Sequence, residues 1–96
     1  MNSSHATAKF ALGKVVGTPG ALRALAANGQ TPVEFLDRHV RGDWGQVAED
    51  GARLNDEAIF HGGRILSIYA MASGEPLWII TAANRLSTCV LLPDEY

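Results

Sequence analysis

Apolar positions in the last third of the chain follow a strand rhythm rather than a helical one. Arg64 to Ala70, Leu77 to Thr81 and Leu86 to Leu92 are rich in Ile, Leu, Val and aromatic residues. They predict three strands, separated by turn signals at Ser73-Gly74 and Asn84-Arg85. Connections this short pair neighbouring strands antiparallel, as a meander. Successive side chains point to opposite faces. Leu66, Ile68 and Ala70 therefore stand against Ile65, Ser67 and Tyr69, and Trp78 and Ile80 against Leu77, Ile79 and Thr81. In the third run Leu86, Thr88, Val90 and Leu92 oppose Ser87, Cys89 and Leu91. Both faces of the middle run are apolar, which predicts a central strand covered on both sides, with Trp78 in the core.

Upstream, Phe10 to Val16 alternates imperfectly around Gly13 and predicts a first strand. Thr18 and Pro19 then supply a helix cap and a first helical position, with Leu22, Leu25 and Ala26 as the apolar stripe and Asn28-Gly29 as the stop. A second helix opens on Thr31-Pro32-Val33-Glu34, a capping-box pattern. Val33, Leu36 and Val40 line one side of it, Phe35 and His39 lie beside them, and Arg41-Gly42 ends it. Between Asp43 and Glu57 there are five acids (Asp43, Glu49, Asp50, Asp56, Glu57) and one base, Arg53. A segment of that length is either a third helix, touching the core through Leu54, Ala58 and Val47, or an exposed functional loop. The order β-α-α-(acidic segment)-β-β-β predicts an α+β fold, with the helices packed on a largely antiparallel sheet that ends in the meander. Residues 1–9 read as a flexible polar tail and 10–96 as a single domain.

Composition narrows the function classes. The 96 residues carry 8 basic and 10 acidic side chains, net −2. That supplies no footprint for non-specific nucleic-acid binding, which depends on many phosphate contacts. Cys89 is the one cysteine, so no disulfide framework exists and a reducing compartment is expected. No apolar run approaches the ~20 residues of a membrane span, and the first residues lack the apolar centre of a signal peptide. The cytoplasm is the expected location.

Candidate chemistry is sparse. Gly13, Gly17 and Gly20 lie between a strand and a helix, but the Gly-Lys-Ser/Thr ending of a phosphate loop and the dinucleotide spacing are both missing. His5, His39 and His61 have no metal-ligand spacing, and the five acids do not follow a calcium-loop pattern. No cofactor and no metal are therefore expected. His61, before Gly62-Gly63, sits where an imidazole can serve as a general acid or base. Trp44, between Asp43 and Gly45, is either a plug at the edge of the core or an exposed anchor for a partner. Pro93 ends the last strand, and Tyr96 closes a tail that either caps the sheet or docks in a partner's groove.

Taken together, His39 to Gly45, Gly63 to Ser67, Leu77 to Thr81 and Leu91 to Tyr96 resemble blocks found in a group of small bacterial plasmid-related proteins. Members are often borne on mobile elements, and some carry the label type I restriction endonuclease subunit M. The resemblance runs over nearly the whole chain from Phe10. It implies no catalytic residues, because the group has no established activity, and the glycine loop and Asn-Pro-Pro-Phe motif that the methylase label would need are absent here. The β-α-α-β-β-β order is also similar to the RelE/ParE toxin fold. That likeness would assign roles to Arg64, Arg85 and Tyr96, with His61 beside them. The first expectation is thus a non-catalytic accessory protein acting by protein–protein contact. It would bind an unidentified protein partner through Trp44, Asp43, Glu49 and Asp50 and through Tyr96. A RelE/ParE-like RNase or gyrase-directed toxin is the second expectation, and a homodimer joined edge to edge the third.

Overall fold

A computed structural model describes residues 8–96; the first seven residues of the expected tail, His5 among them, lie outside the described residues. The chain runs β1 (Lys14–Gly17), α1 (Pro19–Ala27), α2 (Pro32–Val40), α3 (Glu49–His61), β2 (Ile65–Ala70), β3 (Pro76–Thr81) and β4 (Ser87–Leu91), closing on a 3-10 turn at Pro93–Glu95. The fold is α+β, and the acidic segment is a third helix. The four strands form one sheet in the order β1-β4-β3-β2. The meander β2-β3-β4 is antiparallel, with Ile68 opposite Trp78 and Trp78 opposite Leu91. β1 joins the far side of β4 in parallel, Val16 opposite Cys89.

Local chemistry explains most of the boundaries. The hydroxyl of Thr18 accepts from Ala21 N–H at 3.0 Å and starts α1. Thr31 makes no such bond, contrary to the capping-box pattern. Glu34, the residue that should return to it, accepts instead from Gln30 Nε2 at 3.2 Å. β1 starts at Lys14 rather than Phe10, because Gly13 turns through φ +66° against the backbone of Leu86. Gly45 has φ +71° and lies so close to the Ile68 carbonyl that any side chain would collide with it.

The helices bury other faces than the aliphatic spacing predicts. Ala21 and Leu25 enter the core from α1, while Leu22 is exposed. From α2 the buried residues are Phe35 and His39, one turn apart, and Val33 is left in solvent. These side chains meet Tyr69, Leu77, Ile79 and Val90 in the main core. A second cluster holds Trp44, Ala58 and Ile65, with Phe10 packed against it. Both clusters draw on the same face of the sheet. Among the described residues no α-helix lies over the opposite face, Leu66 and Ile68 on β2 and Trp78 and Ile80 on β3, which is half-buried. The central strand is therefore covered by helices on one side only, and Trp78 lies on the other side. That corrects the expectation of a fully enclosed strand.

Candidate functional site

Two places on this framework carry concentrated polar or accessible chemistry. The first is sealed. His39 projects from α2 onto the sheet, where its Nδ1 lies 2.6 Å from Ser67 Oγ and its Nε2 2.9 Å from Thr81 Oγ1. Thr81 Oγ1 lies 2.7 Å from Thr88 Oγ1, and the Thr88 hydroxyl donates to the Leu12 carbonyl at 2.7 Å. That last bond orients the whole chain. A carbonyl can only accept, so Thr88 spends its proton there and accepts from Thr81. Thr81 must then accept from His39 Nε2–H, and the bare Nδ1 accepts from the Ser67 hydroxyl. The imidazole is neutral, and burial pushes its pKa down to about 4. Phe10 and Trp44 close over it edge-on, at 5.1 and 6.0 Å between ring centroids.

A serine hydroxyl within hydrogen-bond reach of an imidazole is the arrangement of a nucleophile and its base. Here His39, Ser67, Thr81 and Thr88 are all 0% exposed, and a substrate would have to enter a packed core. The arrangement is a structural network.

The second place is the helix-free face of the sheet. Cross-strand pairing lines up Leu66, Ile80, Cys89 and Val16 in one row, and Ile68, Trp78 and Leu91 in the next. Solvated sheet faces are ordinarily polar; this one is apolar. The C-terminal turn brings Tyr96 onto it, with its ring 5.5 Å from that of Trp78. The Arg64 guanidinium donates to the Tyr96 hydroxyl and sits 5.4 Å from the ring centroid. At the β2 edge a shallow cleft of about 160 Å³ continues the surface, lined by Val47, Gly51, Leu54, Asn55, Arg64 and Leu66. Cys89 is half-buried within the face, and burial, with Glu95 nearby, raises its thiol pKa. It is not an activated nucleophile.

The expected site residues divide accordingly. Tyr96 and Arg64 meet on the open face. Trp44 takes the plug role: it is 7% exposed, and its Nε1 donates to Asp56 at 3.0 Å. It is not available as an exposed anchor. Asp43 is a turn residue that accepts from Arg38 Nε at 2.7 Å and from Gly45 N–H at 3.1 Å. The Arg38 bond, above all, holds its carboxyl below the usual range. Glu49 and Asp50 occupy the exposed first turn of α3, where carboxylates suit the helix dipole. Arg85, at φ 61°, spends its guanidinium on the carbonyls of Ala58, Gly63, Ala82 and Ala83. It fastens the end of α3 to the β3–β4 turn. His61 is an exposed residue at the end of α3.

No single residue type marks the open face in the sequence, so the reading there missed Leu66, Ile68 and Ile80. The signal was the alternation itself, apolar on both phases of β3. Among the described residues there is no cluster of three or more His, Cys, Asp or Glu side chains placed to hold a metal, and no helix is long and apolar enough to cross a membrane. Comparison with protein-family models, with curated proteins and with solved structures returned no match.

Proposed function

We propose that this protein is a non-catalytic accessory protein that acts by protein–protein contact, and that the contact surface is the open sheet face. One observation carries the reading. Leu66, Ile68, Trp78 and Ile80 form a half-buried apolar face that α1, α2 and α3 leave uncovered, and contiguous apolar surface partly left to solvent is characteristic of interaction sites. Aromatic and arginine side chains at its rim, Tyr96 and Arg64, are the residue types that dominate interface energetics. The partner this surface fits presents an apolar ridge, with an acidic group for Arg64. The resemblance in the chain's motif blocks supports a setting on a mobile element, in defence or counter-defence.

Affinity capture with the tagged chain and with its Ile80→Lys variant tests this. A protein retained by the first and lost by the second, at unchanged thermal midpoint, supports the reading. Equal retention by both, or no retained protein at native expression level, counts against it.

The RelE/ParE-like toxin is the second reading. The Arg64–Tyr96 pair on a sheet face favours it, while the net charge of −2 and the engaged Arg85 weigh against it. Growth arrest on induction that Arg64→Ala relieves would promote it over the first.

A further inference from the structure

The two edges of the sheet are finished differently. At the β2 edge every outward backbone group of Leu66 and Ile68 is paired. Asn55 reaches in from α3 like a short strand: its Nδ2 donates to the Leu66 carbonyl at 2.8 Å, and its Oδ1 accepts from Leu66 N–H at 3.2 Å. Next along, Ile68 N–H donates to Trp44 O at 3.1 Å and Gln46 N–H to Ile68 O at 2.6 Å. That edge cannot accept another strand.

The β1 edge is open. Lys14 N–H donates to Leu86 O and Thr18 N–H to Val90 O, each at 3.0 Å. The even-numbered residues thus face β4, and Val15 and Gly17 direct their N–H and C=O groups away from the sheet. None of these outward groups has a partner among the described residues. Exposed apolar side chains flank the edge on both faces, Val15 at 42%, Val16 at 43% and Leu22 at 45%.

We infer that β1 is a self-pairing edge, on which a second copy of this chain adds its own β1 antiparallel, about a two-fold axis at Val16. The sequence of the strand fits that register. Val15 lies opposite the second copy's Gly17, so their outward backbone groups exchange hydrogen bonds. The Val15 side chain then lands beside the second copy's Leu22, which leans over Gly17 with its Cδ2 3.0 Å from where a Cβ would stand. Val16 meets its own counterpart and carries the row Leu66-Ile80-Cys89-Val16 across into the second copy. Charge also matches. The two Lys14 residues are ~14 Å apart along the strands, at ~3.4 Å per residue, and so repel little. Each Lys14 instead lies opposite the second copy's Thr18, whose hydroxyl donates to Glu95 at 2.6 Å. The Glu95 carboxylate is exposed and placed to receive the ammonium. A four-residue strand makes a small interface, and the dimer is in the weak, concentration-dependent class, with a Kd on the order of 10 µM. The inference concerns the β1 edge, which borders the open face at Val16, and does not rest on the proposed function.

Register-specific cross-linking of the full-length protein decides it. Directly opposed residues of a non-hydrogen-bonded antiparallel pair lie ~4.5 Å apart at Cα, within disulfide reach. In a Cys89→Ser background, Val16→Cys should link two chains under mild copper–phenanthroline oxidation. Val15→Cys, one residue off the axis, should link at least about tenfold more slowly. Sedimentation of the unmodified chain should show a mass rising toward twice 10.2 kDa with concentration, and Lys14→Glu should raise the Kd about tenfold. A single-chain mass persisting to about 1 mM overturns the inference. So does a dimer in which Val15→Cys links as fast as Val16→Cys, or one that Lys14→Glu leaves intact.

Discussion

The two faces of this sheet differ in where their polar side chains stand. The covered face sets Ser67, Thr81 and Thr88, with His39 laid across them and all fully buried, among the apolar core residues Ile65, Tyr69, Leu77, Ile79 and Val90. The uncovered face holds Leu66, Ile68, Trp78 and Ile80. Burial by itself does not explain the difference, since the apolar set would gain more from the helix side. What each face can satisfy does. On the covered face every hydroxyl and both imidazole nitrogens have a partner, so the desolvation cost is met by hydrogen bonds that specify how α2 sits on the sheet. On the open face there is little polar chemistry to satisfy, and the exposed area stays available to another molecule. One face therefore holds the fold together, and the other stays partly accessible.

Removing His39 is the most severe way to break that distinction. His39→Ala leaves a cavity, strands the Ser67 hydroxyl and removes the donor to Thr81, and a loss of about 3–5 kcal/mol is expected. That is a large part of the stability of a small domain. Urea unfolding monitored by tryptophan fluorescence would measure it, because Trp44 lies against the imidazole. A loss below about 1 kcal/mol would make the network incidental.

Acid acts on the same group more gently. The His39 pKa falls from 6.5 to about 4 on folding, so the folded state resists a proton that the unfolded state accepts. Its stabilising contribution is complete above pH 6.5 and drains away as pH falls toward 4, a total of about 3 kcal/mol. Denaturation midpoints taken across that interval should fall steadily, and in a His39→Gln variant much less. Asp43, held low chiefly by Arg38, adds a further loss at more acid pH.

Much of the architecture was legible from residues alone, and the reasons are local. Thr18-Pro19, the turns at Ser73-Gly74 and Asn84-Arg85, and the period-two runs act within a few residues, and they placed α1 and the meander. The errors lie where tertiary context decides. Aliphatic spacing on α2 favoured Val33, Leu36 and Val40, whereas the buried pair is Phe35 and His39, because partners distant in sequence, Ser67 and Thr81, are there to receive the imidazole. Period two divides β3 into Trp78 and Ile80 against Leu77, Ile79 and Thr81 but cannot say which phase the helices cover. The open face and the unpaired β1 edge were hidden for the same reason. Both are defined by what fails to pack on them. Trp44 had two roles open to it, and only the contact with Asp56 and His39 separates them.

Neighbouring residues on β3 allow the most direct test, because Ile80 and Thr81 share a strand but face opposite ways. In paired urea titrations, Thr81→Val is a near-isosteric swap, Ile80→Thr replaces an ethyl group by a hydroxyl, and both preserve β-branching. Thr81→Val strands the His39 Nε2–H and should cost about 1–3 kcal/mol, while Ile80→Thr on the open face should cost under about 1 kcal/mol. The reverse order, with the buried threonine dispensable and the half-buried isoleucine essential, would show that the apolar face is the one holding the fold together.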